Sequence, residues 1–299
     1  MITRRRRSAQ LGVGTATFIQ GYGIGMPAAI GGPPLVREAI ERGVTYLDTA
    51  AAYGEAELAI GALAALVAER GVRVCTKVAV DPAITVDKFA AAVAASLRRL
   101  ASPAVDTLLL HSAPAGTIEA ETVARACRAI KARGWAARTG ASTYGESDAE
   151  VALHTPWCDV VQIEFSILNP SVIRLAAGLC RPGRELVVRS VLCKGLLTRR
   201  WRAMPEAARD LAPAIEALER LAHEWDIPLD ELAIRFALDT PSVDVVLVGI
   251  GSVEELTSAL RARDREPLNG DQMAALAAFD CSALAAAHPE RWPHVLTPS

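Results

Sequence analysis

The chain has 299 residues, 51% of them hydrophobic, and a formal net charge of −2. That length suits one large α/β domain, and the apolar half is enough for a large core. The near-neutral balance argues against a general nucleic-acid surface, and no run of about 18 apolar residues suggests a membrane span.

The N-terminus, MITRRRRSAQ, lacks the apolar stretch of a signal peptide, so a soluble cytoplasmic protein is expected. Arg4 to Arg7 read as a solvated arm, with contact to an anionic partner as the other option. Strand-like runs then follow at 11–17, 45–50, 72–78, 106–112, 137–143, 159–166, 185–190 and 243–249. Helical patterns fall at about 33–42, 55–69, 87–100, 119–133, 147–153, 171–179, 208–224, 253–262 and 270–280. Strand alternating with helix implies a parallel sheet. Runs such as VVQIEFS and VDVVLVG are apolar on both faces, as strands covered on both sides must be. No linker or composition break divides the chain, so one domain over 1–299 is expected, with an arm at 1–10 and a tail at 281–299.

A doubly wound nucleotide-binding sheet would carry GxGxxG after its first strand. The nearest match, GYGIG at 21–25, runs on into Met, Pro and Ala rather than a helix start, and reads better as a glycine-rich loop over a barrel mouth. There is no GxSxG nucleophile elbow. The six cysteines show no CxxC and the five histidines no HExxH or close pair, so neither a disulfide framework nor a metal site is expected.

The chemistry concentrates at strand ends. TYLDTAAAYG (45–54) closes an apolar strand on Asp48 and turns to present Tyr53; Lys77 lies inside VRVCTKVAV, and His111 ends DTLLLHS. In a barrel of parallel strands these ends share one face. Protonating a carbonyl oxygen while hydride reaches its carbon needs an acid near pH 7, yet a free phenol titrates at about 10. A neighbouring ammonium favours the phenolate and lowers that value. Lys77 suits this role, Asp48 would keep it charged and aimed, and His111 would orient the carbonyl. Taken singly, Asp48 also reads as a turn acceptor, Tyr53 as a loop residue and His111 as a strand-end histidine. Lys77 is less easily dismissed: it is one of only four lysines against 28 arginines, in a run where an unpaired charge is costly.

These segments, with LGVGT at 11–15 and the later GAS, VVQIEFS and KGLLT, resemble the aldo-keto reductases from about Leu11 to Phe279. The resemblance implies a (β/α)8 TIM barrel that binds NADP or NAD, with Asp48, Tyr53, Lys77 and His111 as the catalytic tetrad. It implies Ser142, Thr143 and Gln162 around the nicotinamide amide, with Thr143 standing where an asparagine is usual. Ser190, Leu192 and Lys194 would lie near the pyrophosphate. Two departures stand out. Arg189 occupies the place of an aromatic residue that stacks under the nicotinamide, and a cation there should disfavour the oxidised ring; alternatively it points away to a carboxylate. The basic residues for the adenosine 2′-phosphate fall at Gly249, Gly251 and Glu255, none of them basic, so NAD use is expected alongside or in place of NADP, with Arg261 and Arg263 the residues best placed to rescue NADP.

The function expected from the resemblance is oxidoreduction of an aldehyde, ketone or sugar carbonyl, or of the matching alcohol. The alternatives are a redox-neutral epimerase or lyase and a nicotinamide-binding regulatory subunit. The substrate pocket is expected from 18–32, 113–118, 191–207 and 281–299, with Phe18, Tyr22, Trp201 and Trp292 as candidates. Arg199, Arg200 and Arg202 read as a solvated charged loop, with an acidic or phosphorylated substrate as the other option.

Overall fold

The apolar runs form eight parallel strands that close on themselves. The computed structural model describes residues 9–18, 23–24, 32–288 and 291–292. The strands are β1 (Gln10–Gly14), β2 (Tyr46–Asp48), β3 (Arg73–Val78), β4 (Val105–Leu110), β5 (Ala136–Ser142), β6 (Val160–Glu164), β7 (Glu185–Arg189) and β8 (Val245–Gly249). Each pairs with the next, and β8 returns to β1 in the register Gln10↔Val245 to Gly14↔Gly249. Gly140 permits the β5–β6 approach, since a Cβ there would lie 1.7 Å from the Val160 carbonyl oxygen.

Around the strands lie α1 (Pro33–Glu41), α2 (Ala56–Gly61), α3 (Ala64–Glu69), α4 (Val86–Arg99), α5 (Ala115–Glu119), α6 (Glu121–Ala132), α7 (Gly145–His154), α8 (Ser171–Leu179), α9 (Ala212–Glu224), α10 (Leu229–Asp239), α11 (Val253–Asp264) and α12 (Gly270–Ala277). Side-chain caps mark several starts: Thr85 on α4, Ser252 on α11, and a reciprocal Asn269–Gln272 capping box on α12.

The architecture agrees with the expected (β/α)8 barrel, with local corrections. The helix expected over 55–69 is two, broken after Gly61, whose Cα packs so close to α4 that a Cβ would meet Arg99 O at 2.1 Å. β1 ends at Gly14, and 16–18 form a 3-10 turn rather than continuing the strand. The segment 206–211 is 3-10, so α9 starts later than the pattern predicts. α10 has no counterpart among the expected helices; it is buried almost all round, and its polar stripe of Glu231, Arg235 and Asp239 is taken up in ion pairs rather than turned to solvent.

One apolar core fills the space between strands and helices, and a second, made by Tyr46, Cys75, Leu109, Val160, Val187, Val245 and Leu247, fills the barrel itself. At the strand N-termini, Arg73 and Arg138 share Glu185 at 2.7 and 2.8 Å, and both contact Asp106. This ionic layer closes that end and leaves the opposite mouth for chemistry.

Candidate active site

The site follows from the strand period of two. Adding two residues to inner-core positions Tyr46, Cys75, Leu109, Val160, Val187 and Leu247 reaches Asp48, Lys77, His111, Gln162, Arg189 and Gly249. The functional layer is therefore one pleat above an apolar layer, where alternation turns these side chains to the barrel mouth.

Asp48 ends β2, and Lys77 lies within β3; their side chains are 6% and 1% exposed. Lys77 Nζ donates to Asp48 Oδ1 and, at 2.9 Å, to the Thr49 carbonyl. Burial works against the ammonium, but Asp48, with smaller help from Tyr53 and Cys75, outweighs it and holds Lys77 above the usual lysine range. Tyr53 sits in the turn after β2, with Lys77 Nζ 5.0 Å from its ring centroid. The ring meets His111 edge to face, at a centroid separation of 5.4 Å and 83°. His111 is set by its backbone N–H, which donates to Val78 O at 2.9 Å.

Here one expectation needs correction. Lys77 does pull the Tyr53 phenol down, and Arg189 adds to that pull, yet burial outweighs both and Asp48 opposes them, so the phenol stands above its ordinary value. The sequence displays the neighbouring ammonium but not the depth of the phenol. Burial, then Lys77, push His111 down to about 4, against a partial opposing pull from Asp48, so its imidazole is neutral at pH 7.

Beside this group, fully buried Gln162 donates from Nε2 to Asp48 Oδ2 at 2.8 Å and accepts at Oε1 from Ser142 Oγ at 3.0 Å. Thr143 Oγ1 is buried without a hydrogen-bond partner among the described residues. Arg189 lies over the Tyr144 ring at 4.0 Å, donates to Thr143 O at 2.7 Å and Ser142 Oγ at 3.4 Å, and stands 4.0 Å from Glu164 Oε2. Arg189 thus lines the mouth and also stands near a carboxylate. Glu164 is buried and accepts from the Gly145 N–H at 2.7 Å.

A cavity of about 400 Å³ joins Asp48, Tyr53 and Arg189 to Ser190, Leu192, Lys194, Gly249 and Glu255. Ser190 and Lys194 have positive φ, 64° and 52°, in the tight turns that follow β7. Gly251 lies outside the lining, but its N–H donates to Glu255 Oε2 at 2.7 Å. Arg261 lines the cavity and Arg263 does not; Arg263 turns to Asp264 and to the Arg42 carbonyl. A larger groove of about 930 Å³, lined by Arg128, Lys131, Glu150, His154 and Trp157, holds none of the candidate residues, so size alone would mislead.

A sequence model of the Aldo/keto reductase family matches residues 10–280. The chain belongs to this family. As an aldo/keto reductase it is an oxidoreductase, of the NAD(P)-dependent kind that acts on carbonyl compounds. Its fold is similar to that of the aldo-keto reductase AKR11C1 from Bacillus halodurans in its holo form, with 23% identity, 96% of this chain and 97% of that one covered, and a TM-score of 0.74. A thermostable aldo-keto reductase in complex with the inhibitor epalrestat matches at 22% identity, 90% and 94% coverage and TM-score 0.68. An aldo-keto reductase from a Medee basin deep-sea metagenome library matches at 16% identity, 91% coverage of both chains and TM-score 0.65.

Among the expected substrate-pocket aromatics of this aldo/keto reductase, Tyr22 falls outside the described residues. Phe18 and Trp201 pack against the core, and Trp292 is 5% exposed with its indole N–H on Ala286 O at 3.1 Å. The glycine-rich loop is described only at Gly23 and Ile24; Gly23 lines the cavity, and the Ile24 N–H donates to Lys194 O at 2.9 Å. The arginine loop is not simply solvated: Arg200 pairs with Glu255 and Arg202 with Glu219. Sequence reasoning passed over Tyr144, although its place directly after Ser142 and Thr143 puts it at the same rim. No helix among the described residues is long and apolar enough to cross a membrane.

Proposed function

We propose that this protein, acting as one barrel domain in the cytoplasm, reduces an aldehyde, ketone or sugar-like carbonyl with a nicotinamide dinucleotide, Tyr53 being the general acid and, in reverse, the general base. The observation that carries this is the convergence of Tyr53, Lys77, Asp48 and His111 at one mouth, with the two charged members paired and buried.

The residues present fit a dinucleotide. Thr143 Oγ1 is a buried polar atom without a partner among the described residues, Gln162 has one amide hydrogen left, and they touch Arg189 and Asp48, which line a cavity bordered by Lys194 and Arg200. Ser142, Thr143 and Gln162 would hold the carboxamide, with Arg189 beside them. Ser190, Leu192 and Lys194 would border the pyrophosphate, and Gly249, Gly251 and Glu255 the adenosine end. When bound, the dihydronicotinamide supplies a hydride.

The neutral His111 orients the carbonyl oxygen by donating a hydrogen bond without competing as an acid. Tyr53 donates its phenolic proton to that oxygen, leaving an alcohol and a phenolate. Lys77 stabilises the phenolate as it forms, which offsets the burial that favours the neutral phenol. Asp48 keeps Lys77 charged and aimed through Oδ1. Carbonyls and alcohols assayed with NADH and NADPH in parallel, on wild type and Tyr53→Phe, test this. The variant is expected to lose about 10²–10⁴ in turnover while keeping cofactor affinity; near-full turnover would remove Tyr53 from its role.

A further inference from the structure

A second buried carboxylate lies close to the Asp48–Lys77 pair, and the proton-transfer scheme makes no use of it. Glu57 sits in the first turn of α2, four residues past Tyr53, and is fully buried. Thr76 Oγ1 donates to its Oε1 at 2.5 Å, and Arg99 Nε of α4 donates to its Oε2 at 2.6 Å. Arg99 is steadied in turn through Nη2, which donates to the buried Ser96 Oγ at 3.2 Å. Thr76 directly precedes Lys77 in β3, so alternation turns Thr76 outward to the helices and Lys77 inward to the mouth.

The turn that carries Tyr53 is thereby pinned to β3 at both ends. At its start the Thr49 N–H donates to Cys75 O at 2.9 Å and the Ala51 N–H to Lys77 O at 3.0 Å. At its end the Glu57 side chain reaches Thr76. The backbone of Tyr53 bonds within the turn: its N–H donates to Ala50 O and its carbonyl accepts from the Ala56 N–H, both at 3.0 Å. Its distance from β3 therefore follows from the two anchors. A buried ion pair adds little net stability over apolar packing of the same volume, and its better-attested use is to fix one register.

We propose that Glu57 is a positioning residue for proton transfer, its bond to Thr76 fixing the turn that carries Tyr53 against the strand that carries Lys77. This rests on the reading that Tyr53 is the general acid. Lys77 Nζ stands 5.0 Å from the Tyr53 ring centroid, and its pull on a phenolate falls inversely with separation. Misplacing a reacting group by about 1 Å can cost about 10²-fold in rate. Glu57 acts at one remove: it holds the turn, the turn holds the phenol, and Arg99 keeps the buried carboxylate paired while it does so.

Glu57→Ala would unpair Arg99 and open a buried void, so the deciding variant is Thr76→Val, which keeps the shape and deletes the hydroxyl. Its kcat on a simple aromatic aldehyde, with NADH and NADPH in parallel, is expected to fall roughly 10–100-fold while KM changes less than about threefold. A second reading needs no turnover: the Tyr53 phenol, followed in the folded protein as the absorbance titration that Tyr53→Phe removes. In Thr76→Val it is expected to move up by about half a unit for each ångström of added separation from Lys77. Thr76→Ser, which keeps the hydroxyl, should retain wild-type values of both. A bond needed for stability alone would lower the urea midpoint and leave both readings in place. That result would overturn the proposal, as would the same loss in Thr76→Ser. Near-full turnover by Tyr53→Phe would instead overturn the general-acid reading, whatever Thr76→Val does.

Discussion

Gln162 donates to Asp48 Oδ2 at 2.8 Å, and Lys77 donates to Oδ1 of the same carboxylate, so one buried aspartate is held from β6 and β3 at once. The amide also ties Ser142 at 3.0 Å, which makes Gln162 a joint between the proton-transfer group and the proposed carboxamide site. Gln162→Leu removes both bonds within a fully buried environment. Leaving such groups unsatisfied costs about 1–3 kcal/mol each, so urea denaturation should show a clear loss of stability. NADH titration by fluorescence should show weaker binding as well. Wild-type values in both would mean that the joint is not formed in solution.

Lys77→Met strips Asp48 of its cation at a site where both side chains are nearly inaccessible. Breaking a buried pair costs about 3–5 kcal/mol, and Gln162 offsets only part of that. The same change removes the strongest pull that lowers the Tyr53 phenol, leaving burial and Asp48 to raise it further. Alcohol oxidation, which needs the phenolate, should then require higher pH. An oxidation profile with unmoved alkaline limb would make Lys77 a purely structural residue.

That Asp48, Tyr53, Lys77 and His111 share one barrel end was legible because period-two alternation is a local property, and because a lysine inside VRVCTKVAV has no cheap bland explanation. α10 was not read as a helix although Glu231, Arg235 and Asp239 recur every four residues, because that stripe is buried in ion pairs, one of them to Arg261 thirty residues on, that spacing does not display. The raised Tyr53 phenol was missed for a related reason, since depth is a sum over distant elements that spacing does not encode. Arg200 and Glu255 are 55 residues apart and meet only because the β7 loop folds over the start of α11. Tyr144 gained its meaning from Arg189, 45 residues on by sequence number.

His111 gives a pH dependence of stability with a definite sign. Its folded value, about 4, is below the ordinary 6.5 because the buried imidazole resists charging. Between those values the unfolded chain binds more protons than the folded one, so stability rises with pH across that window. The contribution is complete above about 6.5 and is lost as pH falls towards 4. Its size is on the order of 1–3 kcal/mol. The stability of wild type relative to His111→Asn, from denaturation midpoints between pH 4 and 7, should therefore fall as the pH is lowered. Parallel curves throughout would show that His111 titrates normally in the folded protein.

Arg189 places a guanidinium where it is felt at Tyr53 and His111, lowering both. It is stacked on Tyr144, tied to Thr143 O and Ser142 Oγ, and partly balanced by Glu164 at 4.0 Å. Next to a nicotinamide held by Ser142, that cation should repel the oxidised, positively charged ring and leave the neutral reduced ring unaffected. Glu164 reduces the effect without cancelling it, because it lies on the far side of a 4.0 Å gap and also accepts from Gly145 N–H. Arg189→Tyr should then tighten NAD⁺ relative to NADH by about fivefold or more. It should also leave Glu164 short of a cation and cost some stability. Glu164→Gln, which keeps Arg189 but removes its counter-charge, should move the NAD⁺ to NADH ratio the opposite way. Fluorescence titration of both redox forms against the two variants separates this from a simple packing change, which would shift both forms together. Equal shifts in both forms, or shifts of the same sign in the two variants, would show that the guanidinium charge is not sensed by the ring.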